Sequence, residues 1–275
     1  ILINDKGEEI LRKRSGYEKN YESGVYTIKN LVEEFDKNTN SKNSVGIGIP
    51  GSSSKENGLI KNANSIWLNG KPFKKDLEMS LDREIKIMND ANCFALSEAI
   101  DGSGANYNTV WGVIIGSGFG GSFVHNKKVV EGVNQVAGDW GHQPLPYPSK
   151  EEWDLNLKCP VDNCGRPLCA EQFISGIGFT NIFNRKYKTN FTTKEIVDLE
   201  LNGDERAKKE FDLYEDRFAR LIAVMIGIVD PDVIILGGGM SNIERLYSNI
   251  PKLLPKYTFS DKVRNKILRN THGDS

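Results

Sequence analysis

Residues able to do chemistry concentrate between Gly112 and Glu171. An apolar strand runs into the turn Gly116-Ser117-Gly118-Phe119-Gly120-Gly121, and a second strand and loop lead to Gly138-Asp139-Trp140-Gly141-His142. The cysteine cluster Cys159, Cys164 and Cys169 follows and closes on Ala170-Glu171. In that order the residue types suit a phosphate-cradling turn, a polar wall fit for a sugar and a structural metal clip. A second glycine turn, Gly237-Gly238-Gly239, ends another apolar strand. Absent side chains let backbone N–H groups approach phosphate oxygens or an adenine ring. A tight turn with no ligand explains either turn alone about as well. Two of them, each at the carboxyl end of a strand where α/β sheets bind ligands, favour the ligand. Neither fits the Walker A or dinucleotide pattern.

Asn89-Asp90 lies where an apolar strand gives way to a helix. An aspartate there serves most simply as an N-cap. Its other use is as the carboxylate that accepts the attacking hydroxyl's proton in phosphoryl transfer, with Asn89 binding a neighbouring hydroxyl. His142, ahead of the cysteines, is either a satisfied structural histidine or a ligand of tetrahedral zinc, and the cysteine spacing is not a regular CxxC pair. Cys93, inside an apolar helix, reads as core packing.

These residues need elements to hold them. Val25, Ile28, Leu31, Val32 and Phe35 recur at helical spacing, and Val45–Ile49 and Glu84–Met88 read as strands around a helix from Phe73 to Leu81. A helix from Cys93 to Ile100 and a Gly-Ser-Gly turn at 102–104 precede a second sheet begun by Thr109–Ile115 and continued by Gly121–Val124. Asp204 to Val229 predicts one long helix, polar in its first half and apolar in its second, stopped by Asp230-Pro231. Strands alternating with helices predict an α/β fold, here of two lobes, 1–103 and 104–275. Ile1-Leu2-Ile3 reads as the end of a strand paired with Glu9–Arg14, so residues are expected to precede Ile1.

The 275 residues carry 36 Lys+Arg against 37 Asp+Glu, a balance that argues against nucleic acid as the main partner. Three of four cysteines in one short segment indicate metal ligation in a reducing compartment rather than a disulfide framework. The longest apolar run, Leu221–Val229, falls well short of the roughly 20 residues of a membrane span. The expectation is a cytoplasmic protein with no membrane partner.

Asn89-Asp90-Ala-Asn-Cys-Phe-Ala-Leu-Ser-Glu-Ala, the turn at 116–121, Ala137-Gly-Asp-Trp-Gly-His142 and Cys164-Gly-Arg-Pro-Leu-Cys169-Ala-Glu171 together resemble the ROK family of bacterial sugar kinases and repressors. So do Asp230-Pro-Asp-Val-Ile-Ile-Leu-Gly-Gly-Gly-Met and His272-Gly-Asp-Ser, so that the likeness spans the chain. Lys61-Asn-Ala-Asn-Ser-Ile-Trp-Leu-Asn-Gly70 and Cys169–Gly176 most resemble the fructokinase branch, with N-acetylglucosamine kinases next. The resemblance implies a two-lobed actin-like ATPase (ribonuclease H-like) fold, with sugar and ATP in the cleft between lobes. It makes Asp90 the general base and has Asn64, Asn89, Asp139, His142 and Glu171 line a hexose. Gly116, Ser117, Gly118, Gly120 and Gly121 would face phosphate, and Gly238 and Gly239 the adenine side. Structural Zn²⁺ would be held by His142, Cys164 and Cys169 with Cys159 as a further candidate; His142 would offer its other ring nitrogen to the sugar. Mg²⁺ and a homodimer are also implied.

Five departures qualify the resemblance. The family's opening phosphate loop and its final helix are not in the sequence, so both ends are expected to be cut. Asp162 stands where the first metal cysteine is usual, leaving Cys159 to substitute or Asp162 to ligate through oxygen. Asp139 replaces a glutamate, shortening the reach to a sugar hydroxyl, and Leu168 replaces a glycine in the cluster. The expected activity is ATP-dependent phosphorylation of a hexose, with fructose to fructose 6-phosphate first. The alternatives are an N-acetylglucosamine kinase or glucokinase, a non-catalytic sugar sensor, and a kinase slowed or silenced by its missing loop.

Overall fold

The computed structural model describes residues 1–155 and 164–272, so Cys159 and Asp162 lie outside the described residues. It divides into two compact units, Ile1–Asp90 and Ala91–Ser275.

In the first unit β1 (Leu2–Ile3) and β2 (Glu9–Leu11) form an antiparallel hairpin. Helix α1 (Tyr21–Thr39) starts at Asn20, whose side chain accepts the Ser23 N–H, and stops at Asn40 in the left-handed conformation. Then come β3 (Val45–Ile49), the short pair β4 (Ser52–Ser53) and β5 (Ile60–Lys61), a 3₁₀ turn at Ile66–Leu68, α2 (Phe73–Leu81) and β6 (Ile85–Asn89). β3 and β6 run parallel, with Ile49 opposite Asn89. Val25, Ile28 and Val32 of α1 pack onto Ile49, Leu68, Phe73, Leu77 and Ile85. Each of the fully buried members contributes roughly 1.5–3 kcal/mol. Arg83 locks α1 to the approach of β6: its guanidinium pairs with Asp36 and donates to the Asn43 carbonyl at 2.8 Å.

Helix α3 (Asp90–Ile100) begins on the last residue of the first unit. Its Phe94, Ala95 and Ala99 pack with Val110, Val124, Val233 and Ile235. The helix therefore packs on the second sheet. The second sheet comprises β7 (Thr109–Ile115), β8 (Phe119–His125) and β9 (Lys128–Val129), followed later by β10 (Val233–Gly237) and β11 (Lys266–Arg269). Its order is β11-β10-β7-β8-β9, parallel across β11-β10-β7 and antiparallel beyond. Between β9 and β10 lie α4 (Lys150–Asp154), α5 (Glu171–Ile174), α6 (Gly176–Tyr187), α7 (Thr193–Leu201) and α8 (Glu205–Val229), and α9 (Arg245–Leu253) precedes β11.

The long helix is present as expected, and part of its polar half is buried. Along α8 Phe211, Tyr214 and Phe218 are fully buried, as are Glu210, Glu215, Arg217 and Arg220 to within a few per cent. Helices on several sides enclose α8, so its charges pair inward: Glu152 of α4 accepts from Arg217 and Arg220, and Glu215 accepts from Arg245 of α9. Burial pushes the Glu152 carboxyl up, but hydrogen bonds from Arg220 and Arg217 outweigh it and hold it below its ordinary value. Among the described residues no helix is long and apolar enough to cross a membrane.

Candidate functional site

The first unit presents Asn89 and Asp90 at the carboxyl end of β6, where the strand becomes α3. Asn89 Nδ2 donates to the Gly51 carbonyl at 3.1 Å, which ties the ends of the two parallel strands together. Asp90 is exposed and is the first residue of the helix, the position where backbone N–H groups and the helix dipole favour a carboxylate. Asn64 is exposed on the loop after β5. Neighbouring Asn69 fixes that loop by accepting from Ala63 N–H at 2.9 Å and donating to the Ala63 carbonyl at 3.0 Å.

In the second unit three backbone turns converge. Gly176 N–H, at the start of α6, donates to the Gly116 carbonyl at 2.8 Å. Gly238, at φ 79°, comes so near the end of β7 that a Cβ there would lie 2.5 Å from the Ile115 carbonyl oxygen. The predicted turns at 116–118 and 238–239 are thus neighbours, and Ser175-Gly176 joins them. Sequence reading used Cys169–Gly176 only for its branch likeness and gave Ser175-Gly176 no place beside the glycine turns, although a serine N-cap before a glycine ahead of a helix was its visible signal. A Cβ at Gly116, Gly120 or Gly239 would meet nothing within 4 Å. Gly121 differs: a Cβ there would meet the Gly112 carbonyl oxygen at 2.6 Å and both Trp111 and Trp140 Nε1 at 3.1 Å. Its missing side chain therefore serves packing beneath the hairpin.

The polar wall is held by backbone contact. A Cβ at Gly138 would lie 2.7 Å from Ser122 Cα, and one at Gly141 would lie 1.8 Å from the Phe119 carbonyl oxygen. Both glycines let the 138–142 loop press onto β8, leaving Asp139 exposed between them. Glu171 is buried; its Oε2 accepts the Phe119 N–H at 2.9 Å, and its own N–H donates to the Gly141 carbonyl at 2.9 Å. One residue thus fastens both the glycine turn and the wall. Asn92 Oδ1 accepts from Ser122 Oγ at 2.5 Å, fixing the first turn of α3 to β8.

His142, Cys164 and Cys169 come together, with one ligand atom of each within 4.8 Å of the others. Leu145 N–H donates to Leu168 and Ala170 N–H to Gln143, both at 2.8 Å, so the segment after His142 lies antiparallel to the one around Cys169. Nδ1 of His142 sits 3.5 Å from Cys169 Sγ. One imidazole and two thiols at this separation suit a tetrahedral zinc, a group that favours N/S donors. Cys159, the fourth candidate, lies outside the described residues. Leu168 takes φ 53° while buried in the core, so it adopts the left-handed backbone that a glycine would take freely.

The chain matches the ROK family model over residues 1–275. It is 36% identical over 255 residues to the N-acetyl-D-glucosamine kinases of Escherichia fergusonii and Citrobacter koseri, covering 93% of this chain and 84% of theirs. Among solved structures, a ROK family glucokinase from Streptomyces griseus in complex with glucose and AMPPNP superposes with a TM-score of 0.81 at 21% identity, covering 99% of this chain and 90% of that one. A ROK hexokinase from Thermus thermophilus gives 0.79 at 21% identity, covering 92% and 82%. The fold is the two-lobed actin-like ATPase fold of these enzymes. The chain belongs to the ROK family and is a sugar kinase of that family.

Proposed function

We propose that the protein transfers the γ-phosphoryl group of Mg-ATP to the 6-hydroxyl of a hexose, with N-acetylglucosamine as the preferred acceptor. The observation that carries this reading is the 36% identity to N-acetylglucosamine kinases across 93% of the chain. Fructose, the first expectation from sequence, stays as the second reading, favoured by the likeness of Lys61–Gly70 and Cys169–Gly176 to the fructokinase branch.

In this reading Asp90 accepts the proton of the attacking hydroxyl and holds its oxygen in line with phosphorus. Asn64, Asn89, Asp139, His142 and Glu171 bind the remaining hydroxyls. The N–H groups of the turns at 116–121 and 238–239 position the nucleotide, which is where most of the rate in phosphoryl transfer comes from. His142, Cys164 and Cys169 would hold a structural zinc, which would supply rigidity; one ring nitrogen of His142 would serve the metal and leave the other to hydrogen-bond the sugar.

The test is ADP release with Mg-ATP and a panel of N-acetylglucosamine, fructose, mannose and glucose, run beside Asp90→Asn. Highest kcat/KM on N-acetylglucosamine, lost by about 10²–10⁴-fold in the variant, supports the reading. Preference for fructose moves the substrate alone. A folded protein silent on every sugar, or a variant as fast as the parent, overturns it.

A further inference from the structure

The Gly-Ser-Gly turn at 102–104 and the segment ending in His272 have no part in the mechanism above, yet the structure joins them through one buried carboxylate. Glu98, on α3, is 0% exposed. Its Oε1 accepts the N–H groups of Thr271 and His272, both at 2.9 Å, and its Oε2 accepts the N–H of Ser103 at 2.9 Å. Ser103 Oγ extends the same clasp by donating to the Arg269 carbonyl at 2.6 Å and lying 2.9 Å from Thr271 Oγ1. A Cβ at Gly102 would fall 2.3 Å from Glu98 Oε2, so the turn must be glycine for the carboxylate to sit there.

The segment so clasped is tied at its other end to the glycine turn after β10. Asn270 Nδ2 donates to the Leu236 carbonyl at 2.9 Å and to Ser241 Oγ at 3.3 Å, on either side of Gly237-Gly238-Gly239. Residues 269–272 therefore form a strut between that turn and α3. A carboxylate suits the clasp because it is acceptor-only and can serve three N–H donors at once. A glutamine offers one acceptor oxygen and turns an NH₂ group toward N–H groups. A packing role alone would be filled as well by an apolar side chain of this size.

We propose that Glu98 is a positioning residue for the nucleotide: through the 269–272 strut it holds the Gly237–Ser241 turn in the conformation that receives ATP. This rests on the assignment of that turn to the nucleotide. Loss of charge-assisted hydrogen bonds to Glu98 weakens ATP binding by about tenfold and leaves the sugar wall untouched.

Steady-state kinetics and titration of a fluorescent ATP analogue on Glu98→Gln and Asn270→Ala test this, with Ile196→Ala, a core truncation in α7, as the control for stability loss. The expected result is a rise of about tenfold in KM for ATP and in analogue Kd for both strut variants, with KM for the hexose within twofold. The control is expected to lose melting temperature without that split. Unchanged analogue affinity in both strut variants, or KM values for ATP and hexose rising in parallel, overturns the proposal. If Glu98→Gln fails to fold, Asn270→Ala decides on the same criteria. Should the parent turn over no hexose, the kinase reading fails and the analogue titration alone decides; a parent that binds no nucleotide overturns both.

Discussion

A methyl group at Gly141 would arrive 1.8 Å from the Phe119 carbonyl oxygen, whereas one at Gly120 would meet nothing within 4 Å. The two glycines are therefore present for different reasons. At Gly141 the obstacle is backbone on a central strand, so Gly141→Ala must displace the whole 138–142 loop and is expected to cost roughly 3 kcal/mol or more. Gly120→Ala is expected to change stability by no more than about 0.5 kcal/mol while weakening nucleotide binding, because its open side is where a phosphate would approach. Thermal unfolding of the two variants beside ATP titration separates these outcomes. Equal stability loss in both would show that Gly120 is also a packing glycine. The same contrast explains why composition could not sort the turn at 116–121: Gly121 packs against two tryptophans, whereas Gly116 and Gly120 border open space.

Between elements, charge pairs join the chain, Arg83 with Asp36 and Arg217 and Arg220 with Glu152. Hydrogen bonding from Arg83 holds the Asp36 carboxyl down at about 2, against an ordinary 3.8, with Asn43 adding to the effect. A depressed carboxylate contributes stability that is fully present above the unfolded-state value and is lost as pH falls through the folded-state value. The window here is thus about pH 4 down to pH 2. Asp36→Asn is expected to cost about 1–2 kcal/mol near pH 7, with the difference from the parent shrinking across that window. Chemical denaturation at several pH values measures it. A difference that stays constant from pH 7 to pH 2 would show that the pair adds nothing beyond shape. The pair joins α1 to the approach of β6, and so steadies the strand that ends in Asn89-Asp90.

At the scale of the whole molecule, the proposed zinc group would link stability to the proposed sugar wall. His142 ends the 138–142 loop and offers a ring nitrogen beside Cys164 and Cys169. Removal of zinc by a chelator, or Cys169→Ser, is expected to lower the melting temperature and raise KM for the hexose well above any change in KM for ATP. Metal analysis of the purified protein gives the companion measurement, about one zinc per chain. A protein without zinc that keeps its hexose KM would show that the three residues act as a packed cluster alone. Leu168 sits inside this group in left-handed conformation yet is buried. Its side chain compensates in the core for backbone strain of about 1–2 kcal/mol.

Much of this was legible in the sequence because it is written in local terms. Apolar spacing marked α1, α2, α8 and the strands at 45–49, 109–115 and 233–237, since periodicity reports which face of an element is buried. Motif combination marked the family, and residue type marked His142, Cys164 and Cys169, which the fold brings together. The tertiary structure alone decided what depends on residues distant in the chain. It brought Gly176 against Gly116, set Glu98 beneath Thr271 and His272, and assigned α3 to the second sheet. It also buried Glu210, Glu215, Arg217 and Arg220 of α8 against partners on other elements, which the polar character of the segment does not show. A carboxylate's sequence neighbours do not say which backbone N–H groups will face it; that follows only once the strands have fixed their order.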